Sequence, residues 1–179
     1  MKPWFTVADV LTALRLPLAA LFPFLRQPAA QLAVVTVAAA TDFFDGLLAR
    51  RFGSSRVGPF IDPVADKAFM VAAFLTVVTR GGLHPLEIAA VLLRDIVAAL
   101  GFAGSWVLRR PVALPARAGG KAVTVGQLLT LVAFIADSPL VRPLAWATGA
   151  VSVYAIWDYG RAAARAARAA RAVRAVHPR

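Results

Sequence analysis

Long apolar runs separated by short polar segments make up most of the chain. A helix needs about 20 predominantly apolar residues to cross a bilayer. Six stretches of roughly that length occur, at about residues 6–25, 29–49, 60–79, 85–108, 122–138 and 140–159. Asp9 and Arg15 interrupt the first stretch and would disrupt the apolar core of a cleaved signal peptide. The pattern predicts an all-α, polytopic integral membrane protein with six transmembrane helices, in which residues 1–179 form a single domain.

The composition supports a membrane protein over a soluble one. Apolar residues make up 60% of the 179 residues and charged residues only 16%. Soluble domains average roughly 45–50% and 25%. Despite the net charge of +11, these values argue against a soluble enzyme, a disordered chain or a nucleic-acid-binding module. The chain has no cysteine, and His84 and His177 are isolated, so hydroxyls and carboxylates remain for chemistry.

The basic residues predict the orientation in the membrane. With six spans, one side holds fourteen basic residues: Lys2, Arg50, Arg51, Arg56, Arg109, Arg110, Arg117, Lys121 and six arginines of the tail. The opposite loops hold Arg26, Arg80 and Arg142. Basic residues concentrate on the cytoplasmic side, so both termini are predicted to lie in the cytoplasm, with the chain in the inner (cytoplasmic) membrane. The alanine- and arginine-rich residues 161–179 are predicted to form a basic cytoplasmic tail, which either contacts anionic lipid headgroups or serves only topology and solubility.

Four of the nine acidic residues lie between positions 42 and 66. On the second predicted helix, two acids and two small residues share one face, with i, i+3, i+4 and i+7 spacing: Asp42, Asp45, Gly46 and Ala49. On the third, a glycine and two acids share a face with i, i+4 and i+8 spacing: Gly58, Asp62 and Asp66. The polar segment RRFGSSRVG between them predicts a tight turn, so the two acidic faces are expected to meet near the cytoplasmic boundary.

Four carboxylates at that depth repel one another and lose hydration. Charged residues within membrane helices are rare and usually functional, and divalent cations would neutralise these. Oxygen ligands without histidine or cysteine favour Mg²⁺, Mn²⁺ or Ca²⁺, and a pair of ions about 3.5–4 Å apart is a common arrangement for phosphoryl transfer. The small residues leave room for a ligand, although small residues also serve close helix packing.

The ordered motif D-x2-D-G-x2-A-R-x7-G-x3-D-x3-D, from Asp42 to Asp66, closely resembles the signature of the CDP-alcohol phosphatidyltransferases. The spacer between the arginine and the second glycine is seven residues here, where the family usually has eight or nine. The resemblance implies transfer of a phosphatidyl group from a CDP-lipid to an acceptor hydroxyl, with release of CMP.

Site roles follow from this resemblance position by position. It implies that Asp42, Asp45 and Asp62 are metal ligands and that Asp66 lies at the same metal site, where Mg²⁺ or Mn²⁺ is expected as a pair of ions. It implies that Asp66 is the general base. It implies that four residues line the pocket for the CDP moiety, namely Gly46, Ala49, Arg50 and Gly58.

Two further segments concern the acceptor. LTALRLP, with Thr12 and Arg15, and RAGGKAVTVGQ, with Arg117, Lys121 and Gln127, are similar to motifs of the phosphatidylglycerophosphate synthase branch, as is DPVADK at 62–67. Arginine and lysine suit a phosphate-bearing acceptor, so the acceptor phosphate is expected to bind Arg94, Arg117 and Lys121. Alternatively, Arg94 forms an ion pair with Asp95 or Glu87, and the other two serve topology.

The expected reaction joins CDP-diacylglycerol to sn-glycerol 3-phosphate. The family resemblance also implies a homodimer embedded among membrane lipids. Two alternatives remain open. The same chemistry could use phosphatidylglycerol, giving cardiolipin, or an inositol phosphate. In a different class, four intramembrane acids could form the ion path of a divalent-cation transporter, although their clustering near one face argues against a path across the membrane.

Overall fold

A computed structural model of the chain describes residue 4, residues 6–52, residue 55, residues 57–107 and residues 118–176. Within these ranges every regular element is a helix, in agreement with the all-α prediction. The six α-helices there are α1 (Val7–Leu21), α2 (Pro28–Phe52), α3 (Gly58–Thr79), α4 (Pro85–Val107), α5 (Ala118–Ile135) and α6 (Val141–Val176). A short 3₁₀ turn, Phe22–Phe24, extends α1.

Two of the described helices are long and apolar enough to cross a membrane, over Val7–Phe24 and Pro28–Leu48, and a shorter apolar helix covers Gly119–Ile135. Charged residues interrupt the apolar runs of the next two helices, with Asp62, Asp66 and Lys67 in α3 and Glu87, Arg94 and Asp95 in α4. The helices indicate membrane association, while the number of spans stays a prediction.

The helix starts follow from local chemistry. Thr6 precedes α1, and the Asp9 carboxylate accepts hydrogen bonds from the Thr6 backbone N–H at 2.5 Å and from its hydroxyl at 2.9 Å. This capping box satisfies backbone donors that the first turn leaves without helical partners. Pro28 and Pro85 occupy the first positions of α2 and α4, where proline is favoured because its missing N–H is not needed.

The chain divides into two compact units. Unit 1 comprises Met1–His84 and Leu131–Pro139. In this unit α1 packs against both α2 and α3, around a buried apolar core that includes Phe22, Val35, Phe69, Phe74 and Val77. The rings of Phe22 and Phe69 meet edge to face, with centroids 6.0 Å apart. This packing brings polar residues of α1 against the acidic faces of α2 and α3.

Unit 2 comprises Pro85–Thr130 and Leu140–Arg179, and in it α4 packs against α6. A Cβ atom at Gly149 would lie 2.9 Å from the Cβ of Ala90, and one at Gly126 would lie 2.6 Å from the Thr148 hydroxyl oxygen. The absence of side chains at these two positions lets the helices approach closely, as is usual between membrane helices.

Helix α6 continues well past its apolar part. It has 36 residues, which corresponds to a length of about 54 Å at 1.5 Å per residue. Tyr154 and Trp157 are exposed, and the Arg161 guanidinium lies 4.4 Å from the centre of the Trp157 ring. Exposed aromatic residues followed by arginines are typical of a membrane–water boundary. The basic residues between 161 and 176 lie in the same continuous helix.

Candidate active site

The buried guanidinium of Arg15 lies among the acids of the signature. Its side chain is 2% exposed. One terminal nitrogen donates to Asp42 Oδ1 at 2.6 Å and the other donates to Asp45 Oδ2. The Asp66 Oδ1 atom lies 3.9 Å from the first of these nitrogens. A single residue of α1 thus contacts acids from both α2 and α3.

Thr12, one helical turn before Arg15, connects the remaining acid. Its hydroxyl oxygen lies 2.7 Å from Asp45 Oδ2 and 2.8 Å from Asp62 Oδ1, and the hydroxyl is fully buried. Because a hydroxyl has one proton to donate, these two carboxylates share a single donor. Together Thr12 and Arg15 gather the four carboxylates into one group, which we call the acid cluster: Asp42, Asp45, Asp62 and Asp66.

The start of α3 is held in place by Asp9, from the opposite end of the same α1 face. The Ser55 hydroxyl donates to Asp9 Oδ1 at 2.8 Å and accepts from the Gly58 backbone N–H at 2.7 Å. A Cβ atom at Gly58 would lie 2.7 Å from Asp9 Oδ1 and 3.1 Å from the Ser55 hydroxyl oxygen. Gly58 therefore has a steric reason to be glycine, because Asp9 and Ser55 fill the space beside it.

The acid cluster is buried on one side and open on the other. The side chain of Asp45 is 9% exposed, whereas those of Asp42 and Asp66 are 54% and 45% exposed, and Asp62 is exposed as well. The exposed carboxylates are accessible to a ligand or a proton donor. Asp45, in contrast, is almost entirely buried, and both Arg15 and Thr12 donate to its Oδ2 atom.

The donor chemistry of the acid cluster suits a hard divalent cation. Carboxylate oxygens are the ligands that Mg²⁺ and Mn²⁺ prefer, and four of them are tied to two neighbouring residues of α1. In the described ranges, however, no three acidic or histidine side chains converge closely enough to hold one ion as they stand. The guanidinium of Arg15 lies between the carboxylates instead.

The residues expected to line a CDP pocket differ in their surroundings. Among the described residues, no atom outside its own stretch of helix lies within 4 Å of the place where a Cβ at Gly46 would be, so open space adjoins this glycine on α2. Gly58 is enclosed, as described above. Ala49 and Arg50 belong to the last turns of α2, and their side chains lie outside the described part of the structure.

In unit 2, Arg94 belongs to a polar group formed by three helices. One of its terminal nitrogens donates to Asp95 Oδ1 at 2.7 Å, so the ion pair considered above as an alternative does form. The Gln127 side chain donates to Asp95 Oδ2 at 2.7 Å and to the Val91 carbonyl at 3.1 Å. Tyr159 also hydrogen-bonds Arg94. These contacts fix the orientation of the guanidinium.

Arg94 lines a cavity of about 450 Å³ between α4 and α6. Its other lining residues are Val97, Ala98, Gly101, Ile156, Tyr159, Gly160 and Ala163. The volume lies within the range of about 300–1,000 Å³ usual for small-molecule sites. Lys121 is exposed, and Arg117 lies outside the described residues.

The structure also shows contacts that the sequence patterns do not predict. In the sequence, Thr12, Arg15 and Gln127 belong to segments that resemble motifs of one branch of the family, and Asp9 interrupts the first apolar stretch. Three of these residues lie on α1. Their i, i+3 and i+6 spacing places Asp9, Thr12 and Arg15 along one side of α1. Three polar residues on one side of an otherwise apolar helix indicate that this side faces other polar groups, and this pattern is visible in the sequence.

Comparison with known proteins identifies the family. The sequence model of CDP-alcohol phosphatidyltransferases matches residues 5–157. The chain belongs to this family. As a CDP-alcohol phosphatidyltransferase, it has its signature acids on α2 and α3, in the cluster around Thr12 and Arg15.

Several curated relatives in the family are similar over part of the chain. A probable phosphatidylglycerophosphate synthase of Mycobacterium tuberculosis is 37% identical over 126 residues, covering 69% of this chain and 57% of the relative. A CDP-diacylglycerol–glycerol-3-phosphate 3-phosphatidyltransferase of Cereibacter sphaeroides is 35% identical over 103 residues, covering 51% and 47%. One of the same name from Yersinia enterocolitica is 36% identical over 97 residues, covering 52% and 53%. The chain thus spans about half the length of the curated relatives it matches.

Proposed function

We propose that this chain transfers the phosphatidyl group of CDP-diacylglycerol to sn-glycerol 3-phosphate, giving phosphatidylglycerophosphate and CMP. The observation that supports this most is the gathering of all four signature acids around Thr12 and Arg15. The names of the similar proteins support the choice of glycerol 3-phosphate as acceptor.

In this proposal the acceptor hydroxyl attacks the β-phosphorus of CDP-diacylglycerol. A new P–O bond forms, the bond to CMP breaks, and the hydroxyl proton passes to a carboxylate. We assign that role to Asp66, which is partly exposed and only distantly paired with Arg15. A positioned base of this kind is within the ordinary repertoire of carboxylates.

Asp42, Asp45, Asp62 and Asp66 would hold the divalent cations, Mg²⁺ or Mn²⁺, with two ions as the proposed number. When bound, such ions neutralise the pyrophosphate and stabilise the leaving CMP. The protein's own contribution is to gather the carboxylates, through the buried Thr12 and Arg15, before substrate arrives.

We further propose that the CDP moiety lies against Gly46, Ala49, Arg50 and Gly58. The acceptor phosphate would bind Arg94, Arg117 and Lys121. The orientation of Arg94 supports a phosphate role, because Asp95 engages one of its terminal nitrogens while the side chain still lines a cavity.

The membrane arrangement belongs to the same proposal. Six spans, both termini in the cytoplasm and a location in the inner membrane agree with the distribution of basic residues. A homodimer of single-domain chains among membrane lipids is proposed from the family resemblance.

Gly46→Ala is expected to weaken use of CDP-diacylglycerol without destabilising the fold. The added methyl enters open space in the protein, and alanine is the better helix former by about 1 kcal/mol. If that space receives the CDP moiety, KM for CDP-diacylglycerol should rise several-fold while the melting temperature holds or increases.

Gly58→Ala provides the contrasting variant. Its methyl would collide with Asp9 and Ser55, so the melting temperature should fall whether or not substrate binds there. Steady-state kinetics and thermal unfolding in detergent measure both effects. An unchanged KM in Gly46→Ala would remove this glycine from the CDP pocket.

The proposed acceptor is tested by identifying the product. Purified protein in detergent is incubated with CDP-diacylglycerol, Mg²⁺ and one acceptor at a time: glycerol 3-phosphate, phosphatidylglycerol, an inositol phosphate or serine. Mass spectrometry should detect phosphatidylglycerophosphate when glycerol 3-phosphate is the acceptor, and no lipid product with the other acceptors. A lipid product formed only with another acceptor would keep the chemistry and overturn the acceptor assignment.

A further inference from the structure

Arg15 is a buried charge whose only described ionic partners belong to the acid cluster. Its side chain is 2% exposed, and both terminal nitrogens lie against the carboxylates of Asp42, Asp45 and Asp66. Its Nε atom is buried and has no hydrogen-bond partner among the described residues. Removing a guanidinium from water is unfavourable unless opposite charges compensate it. The negative charge of the acid cluster compensates the cost of burying the arginine at this position.

The burial of Arg15 also argues against direct contact with substrate. A phosphate-binding arginine presents its terminal nitrogens to the ligand, whereas those of Arg15 already contact carboxylates. Asp42 and Asp66 lie on the exposed side of the cluster, and Arg15 lies on the buried side. Arg15 therefore acts on the acids and not on the pyrophosphate.

We propose that Arg15 is a positioning residue that serves as an internal counter-ion of the acid cluster and sets its affinity for divalent cations. A cation held by these carboxylates would lie close to the guanidinium, and both would share the same negative charge. Like charges at short range in a poorly hydrated site repel strongly. Arg15 thus weakens metal binding relative to four unpaired carboxylates. In the absence of a cation, it holds Asp42 and Asp45 together.

This inference explains why the carboxylates surround a guanidinium and do not converge on one point. It rests on the proposed metal site, and it goes further by assigning the affinity of that site to a residue outside the signature. The consequence is that the site needs a higher concentration of divalent cation to fill than four carboxylates without Arg15 would need. In the absence of the cation, the negative charge of the cluster is already partly neutralised.

The test is Mn²⁺ binding to the full-length protein in lipid nanodiscs, measured by electron paramagnetic resonance without substrate. Arg15→Gln keeps hydrogen-bond donors and removes the charge, so its Mn²⁺ dissociation constant should fall about tenfold or more. Arg15→Lys keeps the charge and should remain close to wild type. With a chelator present, Arg15→Gln should melt at a lower temperature than wild type. Addition of Mn²⁺ should abolish this difference in melting temperature.

Arg80→Met is the matched control. Arg80 belongs to the same unit, and it donates to the carbonyls of Pro23 and Leu25. Removal of this arginine should leave Mn²⁺ affinity unchanged. Arg15→Met, which lacks both donors and charge, is a second neutral variant should Arg15→Gln fail to fold, and it should also bind Mn²⁺ more tightly than wild type.

The outcomes separate this inference from the proposal beneath it. Wild-type protein that binds no Mn²⁺, or binds it equally after Asp42→Asn and Asp62→Asn are combined, would overturn the metal site itself. Wild-type binding that depends on those acids, with equal or weaker binding in the neutral Arg15 variants, would overturn the counter-ion role and leave the metal site standing.

Discussion

Asp66→Asn is expected to lower kcat by about 10²–10⁴-fold, the usual contribution of a general base, with little change in the binding of CDP-diacylglycerol. Asparagine has nearly the same shape but cannot accept the proton of the acceptor hydroxyl. Asp66 is also the acid with the weakest observed tie to Arg15, at 3.9 Å, so its replacement should leave the contacts of Asp42 and Asp45 intact. CMP release gives kcat, and equilibrium binding of the CDP-lipid gives the affinity.

Asp137→Asn serves as the control for this substitution. Asp137 is exposed in the turn after α5 and has a φ of 50°, a conformation that asparagine tolerates well. This variant should keep both the rate and the affinity of wild type. Turnover at the wild-type rate in Asp66→Asn would remove Asp66 as the base.

Gly120→Ala is expected to raise KM for glycerol 3-phosphate by about ten- to hundredfold, while kcat at saturation changes much less. A Cβ atom at this position would lie 2.7 Å from the Tyr159 hydroxyl oxygen and 3.0 Å from a terminal nitrogen of Arg94. The methyl group must therefore displace the Tyr159 hydroxyl and shift the guanidinium that lies beside it. A hydrogen bond to a charged group contributes about 1.5–3 kcal/mol, which corresponds to this range in KM.

Gly104→Ala is the matched variant, because it adds the same methyl to α4 at a position where no neighbouring atom of the described residues lies within 4 Å of the Cβ. Steady-state kinetics with glycerol 3-phosphate as the varied substrate should show wild-type KM for Gly104→Ala. If Gly120→Ala shows wild-type KM while its melting temperature changes, then Arg94 is structural and the acceptor phosphate binds elsewhere.

The approximate positions of the helices were predictable from hydropathy, because apolar runs end near charges and prolines. The predicted fifth span, 122–138, is displaced by three or four residues from α5, Ala118–Ile135. The predicted second and third spans, 29–49 and 60–79, fall within α2 and α3. The predicted sixth span ends at 159, whereas α6 continues to Val176. Hydropathy marks where a helix leaves the apolar phase, and alanine and arginine are strong helix formers in water as well, so that point is not the end of the helix.

The acid cluster was predictable only in part. Helical spacing places the acids on shared faces within α2 and within α3, and the short connection between these helices indicates that the faces meet. Periodicity does not indicate which third helix packs against them. The contacts of Arg15 with Asp42 and Asp45, and of Thr12 with Asp62, span 27, 30 and 50 residues of sequence. Contacts at that distance depend on tertiary packing.

Gly58 illustrates a second limit of sequence patterns. Family resemblance assigns it to a substrate pocket, while the structure adds a steric requirement through Asp9 and Ser55. Gly46, in the same motif, has open space beside it. Two glycines of one signature thus differ in the physical reason for their identity, and this difference is visible only once neighbouring helices are in place.

The measurement that tests the central proposal most directly is CMP release from CDP-diacylglycerol by the purified protein in detergent. We expect release that requires both glycerol 3-phosphate and a divalent cation, stops on addition of a chelator and resumes when Mg²⁺ is restored in excess. Folded protein that releases no CMP with any acceptor, yet admits Mn²⁺ into liposomes without CDP-lipid, would contradict it and favour a cation transporter.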